Sequence, residues 1–65
     1  MILTLVVQYN YNGTVSIAEP VASEHFDYVE VAYGSTVEDA KQKAQEYYRG
    51  TDYELVFIDE EGDEI

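Results

Sequence analysis

The chain has 65 residues, with 14 Asp and Glu against three Lys and Arg, and a formal net charge of −11. That length holds one small domain, whose thin core buries only about 60% of the unfolded surface. The acidity excludes a conventional nucleic-acid binder, which needs a basic footprint. The absence of Cys excludes disulfides and thiol chemistry, and a hydrophobic content of 46% excludes a disordered acidic segment.

Met1 runs directly into Ile2-Leu3-Thr4-Leu5-Val6-Val7, with no basic leader and no small-residue cleavage site. No apolar run approaches the ~20 residues needed to cross a bilayer. The expectation is a soluble, unprocessed, cytoplasmic chain. Residues 2–9 are rich in β-branched and aliphatic types and predict a strand, apolar on both faces and therefore central. Asn10-Tyr11-Asn12-Gly13 is a hairpin signal. A two-residue Asn12-Gly13 turn would place Val15 and Ile17 on the face of Gln8 and Asn10. A three-residue loop instead pairs Asn10 with Thr14, sets Val15 opposite Tyr9 and Ile17 opposite Val7, and is preferred, because a one-residue slip sends every side chain to the wrong face. Gly13 then takes the left-handed position of a bulged turn.

The return strand covers residues 14–19 and ends near Pro20, which cannot donate to a ladder. Residues 21–25 read as a loop. Residues 26–33 alternate as a third strand, with Val29, Val31 and Tyr33 on one face and Phe26, Tyr28 and Glu30 on the other. Ser35-Thr36-Val37-Glu38 has the capping-box pattern, Ser35 capping and Glu38 reaching back. It predicts a helix from about Thr36 to Arg49, stopped by Gly50. Val37, Ala40, Ala44, Tyr47 and Tyr48 fill one arc of about 100°. Residues 53–58 form a last strand, and 59–65 an acidic tail beyond a single domain of residues 1–58.

The order β-β-β-α-β predicts an α+β fold. A meander followed by a right-handed helical crossover gives a four-stranded mixed sheet of order 3-2-1-4 with one helix on one face. This order, with Gly34-x-Thr36-x-x-Asp39-Ala40-x-x-x-Ala44 entering the helix, resembles the N-terminal domain of HicB-type antitoxins over residues 2–58. The resemblance implies a truncated ribonuclease-H-like fold that binds a small toxin. The Pro-rich loop of that family is reduced here to Pro20 and Ser23-Glu24-His25. By composition, a Cys-free and strongly acidic chain of this length is also similar to phage-encoded inhibitors of bacterial defence, among them anti-CRISPR proteins and other DNA mimics; for such a protein the compartment is the host cytoplasm.

His25 stands beside Glu24 with no nucleophile or orienting group nearby, so no catalytic residue is assigned and no enzyme is expected. Asp59-Glu60-Glu61-Gly62-Asp63-Glu64 suggests calcium only by its acidity. It lacks the twelve-position spacing of an EF-hand loop, and no metal or cofactor is expected. The charge is the stronger signal. Acids recur at Glu24, Asp27 and Glu30, at Asp52 and Glu54, and at Asp59, Glu60, Glu61, Asp63 and Glu64. Residues two apart on a strand lie about 7 Å from each other, comparable with successive phosphates. The expected function is a non-enzymatic inhibitor that mimics nucleic-acid charge and blocks a basic groove on a nucleic-acid-binding protein such as a CRISPR effector, nuclease or toxin. Tyr11, Phe26 and Tyr28 are the candidate apolar anchors. A HicB-like antitoxin and a homodimeric module are the alternatives. The face opposite the helix, with Ile2, Val6, Phe26, Tyr28, Val56 and Ile58, is the expected partner or dimer surface.

Overall fold

The computed structural model describes residues 1–20 and 28–65. Its elements are β1 (Ile2–Tyr9), β2 (Val15–Pro20), β3 (Tyr28–Gly34), α1 (Val37–Tyr47) and β4 (Glu54–Ile58). The sheet order is β3-β2-β1-β4. β1 pairs antiparallel with β2 and parallel with β4, and β2 pairs antiparallel with β3. The α+β class, the order 3-2-1-4 and, among the described residues, the one helix are as the sequence predicts. Among the described residues no helix is long and apolar enough to cross a membrane.

The first hairpin has the predicted three-residue loop. Val7 stands opposite Ile17 and Tyr9 opposite Val15. The Asn10 amide donates to the Thr14 carbonyl at 2.9 Å, and Gly13 sits at φ 83°. That conformation suits a residue without Cβ. The Asn10 side chain donates to the hydroxyls of Thr14 (3.1 Å) and Ser16 (2.8 Å), closing the hairpin base.

The core lies between the sheet and α1. Leu5, Val7, Val15, Ile17, Ala32 and Phe57 of the sheet are buried with Ala40 and Ala44 of the helix. The alanines let the helix sit close over β3 and β2. Leu3, Val31, Val37, Tyr48 and Leu55 close the margins.

Four local expectations are corrected. The helix N-cap is Thr36, not Ser35: its hydroxyl accepts from the Asp39 amide at 3.1 Å, and Asp39 Oδ2 accepts from the Ser35 amide at 3.3 Å. Two overlapping hydroxyl–acid pairs were available, and the one that packs against Gly34 is used. The helix ends at Tyr47, and Gly50 (φ 84°) lies in the following turn, closed by the Thr51 amide on the Tyr48 carbonyl at 3.1 Å. Tyr47 is 62% exposed and Tyr48 takes the inward place, continuing the stripe of Ala40 and Ala44. Finally, β3 carries a bulge: Ile17 pairs with Ala32 but Ala18 pairs with Glu30, which leaves Val31 as the extra residue. The bulge inverts the alternation, so Ala32 enters the core while Tyr33, paired with Ser16, stands exposed on the opposite face.

Candidate functional site

The site is on the sheet face opposite α1. Cross-strand partners share a face, so the register defines a row running Glu30, Ala18, Val6, Ile58 across all four strands. Ala18 and Val6, at its middle, are buried. Ser16, on the same face, is buried as well, so the centre of this face exposes less apolar surface than the sequence suggested. Three strand spacings, ~14 Å, separate the backbones of Glu30 and Ile58. Beyond Ile58 the chain turns back.

That turn gives the acidic tail a fixed course. The Gly62 amide donates to the Asp59 carbonyl at 3.1 Å, and the Asp59 amide to the Asp63 carbonyl at 2.8 Å. Asp59 Oδ1 accepts from the amides of Glu61 and Asp63, both at 2.9 Å. Glu64 bridges Ile58, and the Ile65 amide donates to the Phe57 carbonyl at 3.0 Å. The returning residues therefore pair with the open side of β4. From above, Lys41 holds the end of the turn: its ammonium lies 5.1 Å from the Phe57 ring centroid and donates to the Ile65 backbone oxygen at 3.2 Å. The signal was present in the sequence as Asp at the first and Gly at the fourth position of a turn.

The turn and the sheet face enclose an open groove of about 400 Å3. Among the described residues Val6, Gln8, Tyr28, Ile58, Asp59, Glu60, Glu61 and Gly62 line it. Its floor is apolar, its rim at one end is anionic, and Tyr28, 55% exposed, forms a wall. A second hollow joins Asp59, Glu60 and Glu61 to the exposed Tyr9, so these acids overlook both sides of the sheet end. All of the Lys and Arg residues stand in or just after α1. Lys43 is paired with Asp39 at 3.4 Å. No Lys or Arg stands on any strand.

The structure thus brings together Tyr28, Asp59, Glu60 and Glu61 and adds Gln8 to them. Glu30 shares the face, at the other end of the row. Asp52 and Glu54 stand at the opposite end of β4, Glu54 beside Ile2, away from the groove. Asp63 and Glu64 belong to the returning segment, and Tyr11 is fully exposed at the hairpin tip. Glu24, Phe26 and Asp27, with His25, lie outside the described residues. The carboxylates of Asp59, Glu61 and Asp63 come within 4.8 Å of one another. The backbone turn around Asp59 Oδ1 accounts for that clustering, and no metal site is assigned.

Away from the groove, one titrating side chain among the described residues is strongly shifted. Burial raises the Tyr48 phenol well above the ordinary tyrosine range, and its hydrogen bond to Glu19 Oε2 (3.0 Å) and the charge of that carboxylate add to the effect. Tyr48 also packs edge-on against Tyr47 and Tyr53, with ring centroids 4.9 and 6.0 Å away. This cluster fastens the end of α1 to β2 on the helix side.

No family model, curated protein or solved structure matches the chain.

Proposed function

We propose that this protein is a small non-enzymatic inhibitor of a basic nucleic-acid-binding protein, of the kind phages direct against bacterial defence, including anti-CRISPR proteins. It presents the face opposite α1 to a basic groove on its target and offers carboxylates where phosphates would lie, acting in the cytoplasm of the cell that holds that target. One observation carries the reading: Tyr28 and the Asp59–Glu61 acids, far apart in sequence, line one groove on a face without a strand-borne base. An apolar floor supplies area and the acidic rim supplies charge complementarity, which acts on the rate and specificity of association. A net charge of −11 opposes the compact state by self-repulsion, and electrostatic capture of a cationic partner gives that charge a use.

A HicB-like antitoxin that blocks a ribonuclease toxin is the second reading, favoured by the 3-2-1-4 sheet with one helix. Both readings use the same surface, and they differ in the target. The test is competition. Basic proteins captured from a bacterial lysate are purified, and each is offered its own nucleic acid in the presence of this protein. Mutual displacement is expected, and the identity of the target, defence nuclease or toxin, separates the two readings. A captured target that holds both ligands at once would defeat the mimicry reading.

A further inference from the structure

We infer that the groove is an anchor site for a single arginine side chain of the partner. The inference rests on the reading of this face as the surface that meets a basic protein. It is chosen over a lysine anchor from the materials of the groove. Val6 and Ile58 give an apolar floor, Tyr28 gives an aromatic wall, and Asp59, Glu60 and Glu61 give a carboxylate rim. Its volume of about 400 Å3 lies within the ~300–1,000 Å3 of clefts that hold discrete groups.

The ligand for such a site is apolar along its stem, planar at its end and cationic. An arginine stem lies along apolar surface while its head stays with the charges. Its guanidinium stacks on an aromatic face and forks onto carboxylates, whereas a lysine ammonium is a compact, strongly hydrated point charge that gains less from a ring and cannot fork. Glu60 and Glu61 are exposed and have no ion pair among the described residues. Asp59 is partly committed to its own turn, where its Oδ1 holds the Glu61 and Asp63 amides. No Lys or Arg is among the described residues that line the groove; Lys41 is held over Phe57 and at Ile65, and Lys43 at Asp39.

The test titrates isotope-labelled full-length protein with two peptides, Ac-Gly-Ala-Arg-Ala-Gly-NH2 and its Lys counterpart, followed by amide and aromatic NMR shifts. The arginine peptide is expected to bind ~2–5-fold more tightly, the equivalent of an exposed ring–guanidinium contact of ~0.5–1 kcal/mol. Shifts should concentrate at Val6, Gln8, the Tyr28 ring and residues 58–62. Tyr28→Leu, which keeps an apolar side chain at an exposed position, should reduce the preference to what the carboxylates alone supply, without disturbing the spectrum elsewhere. Equal or tighter binding of the lysine peptide at the same amides overturns the arginine anchor and leaves the basic-partner reading standing. Preference for arginine that is undiminished in Tyr28→Leu also overturns it. Shifts spread evenly over Glu38, Asp52 and Glu54 as much as the groove overturn both.

Discussion

Gly34 packs so closely against Asp39 that a Cβ on Gly34 would stand 2.7 Å from Asp39 Oδ2 and 2.8 Å from the Ala40 backbone nitrogen. The strand-to-helix junction is therefore built without room for a side chain at position 34. The same Asp39 oxygen accepts from the Ser35 amide, and the Asp39 amide is capped by Thr36. The Gly-x-Thr-x-x-Asp-Ala pattern has a complete packing explanation in these contacts. Gly34→Ala should destabilise the fold by about 1–3 kcal/mol, the usual cost of overpacking against backbone. In a domain this small each kcal/mol lowers Tm by ~4–8 °C. Thermal unfolding followed by circular dichroism checks it, and an unchanged Tm would contradict the close approach.

Most of the sheet is legible in local sequence because each decision has one good answer. Asn10 and Thr14 must pair if Val15 and Ile17 are to share the face of Val7, and they do. The helix stripe of Val37, Ala40 and Ala44 is equally determined. Where two answers score alike, the sequence does not choose. Ser35 with Glu38 and Thr36 with Asp39 are equivalent capping pairs, and only the Gly34 contact separates them. Residues 29–33 alternate without a flaw, so the bulge at Val31 leaves no local trace; it arises because Ile17 and Ala32 must meet over the helix. The groove was legible only in parts. Tyr28 and the acids at 59–61 are visible as candidates, but their meeting depends on a turn whose Asp59 and Gly62 were masked by the surrounding charge.

Asp59 should matter as a hydrogen-bond acceptor more than as a charge. Its Oδ1 holds the Glu61 and Asp63 amides. Asp59→Asn retains a side-chain carbonyl in that position, whereas Asp59→Ala hands both exposed donors to water, at a cost of about 0.5–1.5 kcal/mol. Hydrogen exchange at Glu61, Asp63 and Ile65 should accelerate in the Ala variant and remain near wild type in the Asn variant. Equal acceleration in both would mean that charge, not geometry, holds the turn.

Tyr48 sets an alkaline limit to stability. In the unfolded chain its phenol ionises near pH 10, and in the fold burial and then Glu19 hold the proton well beyond that. A raised native pKa contributes stability that is whole below pH 10 and is lost as pH rises from about 10 toward the native value. Unfolding midpoints in urea should therefore fall above pH 10. Tyr48→Phe should flatten that fall while lowering stability at neutral pH by about 0.5–1.5 kcal/mol through the lost hydrogen bond. A tyrosinate absorbance titration should lose its most alkaline component in the same variant. If the component persists, it belongs to another tyrosine.

Charge mimicry and self-association make opposite predictions about salt, and the position of the acids decides which variants separate them. Exposed charges are screened over about 10 Å at 0.1 M salt, so capture of a basic target should slow steeply as salt rises. A homodimer through the same face would bring together two copies of net charge −11 each, and its association should strengthen with salt. Free-protein stability should also rise with salt, because self-repulsion is relieved. Glu60→Gln with Glu61→Gln removes two charges from the groove while leaving Asp59 to hold the turn. Asp52→Asn with Glu54→Gln removes two from the far end of β4, outside it. The first pair should slow target association and flatten its salt dependence, the second should do so much less, and both folds should be equal to or more stable than the parent. Stopped-flow association at several salt concentrations reads the first quantity, sedimentation the second and urea unfolding the third. Equal slowing by both pairs would assign the effect to net charge alone and remove the groove from the interface; loss of binding in Tyr28→Ala with both charge pairs unaffected would make the contact apolar and leave the acids as a solvated surface.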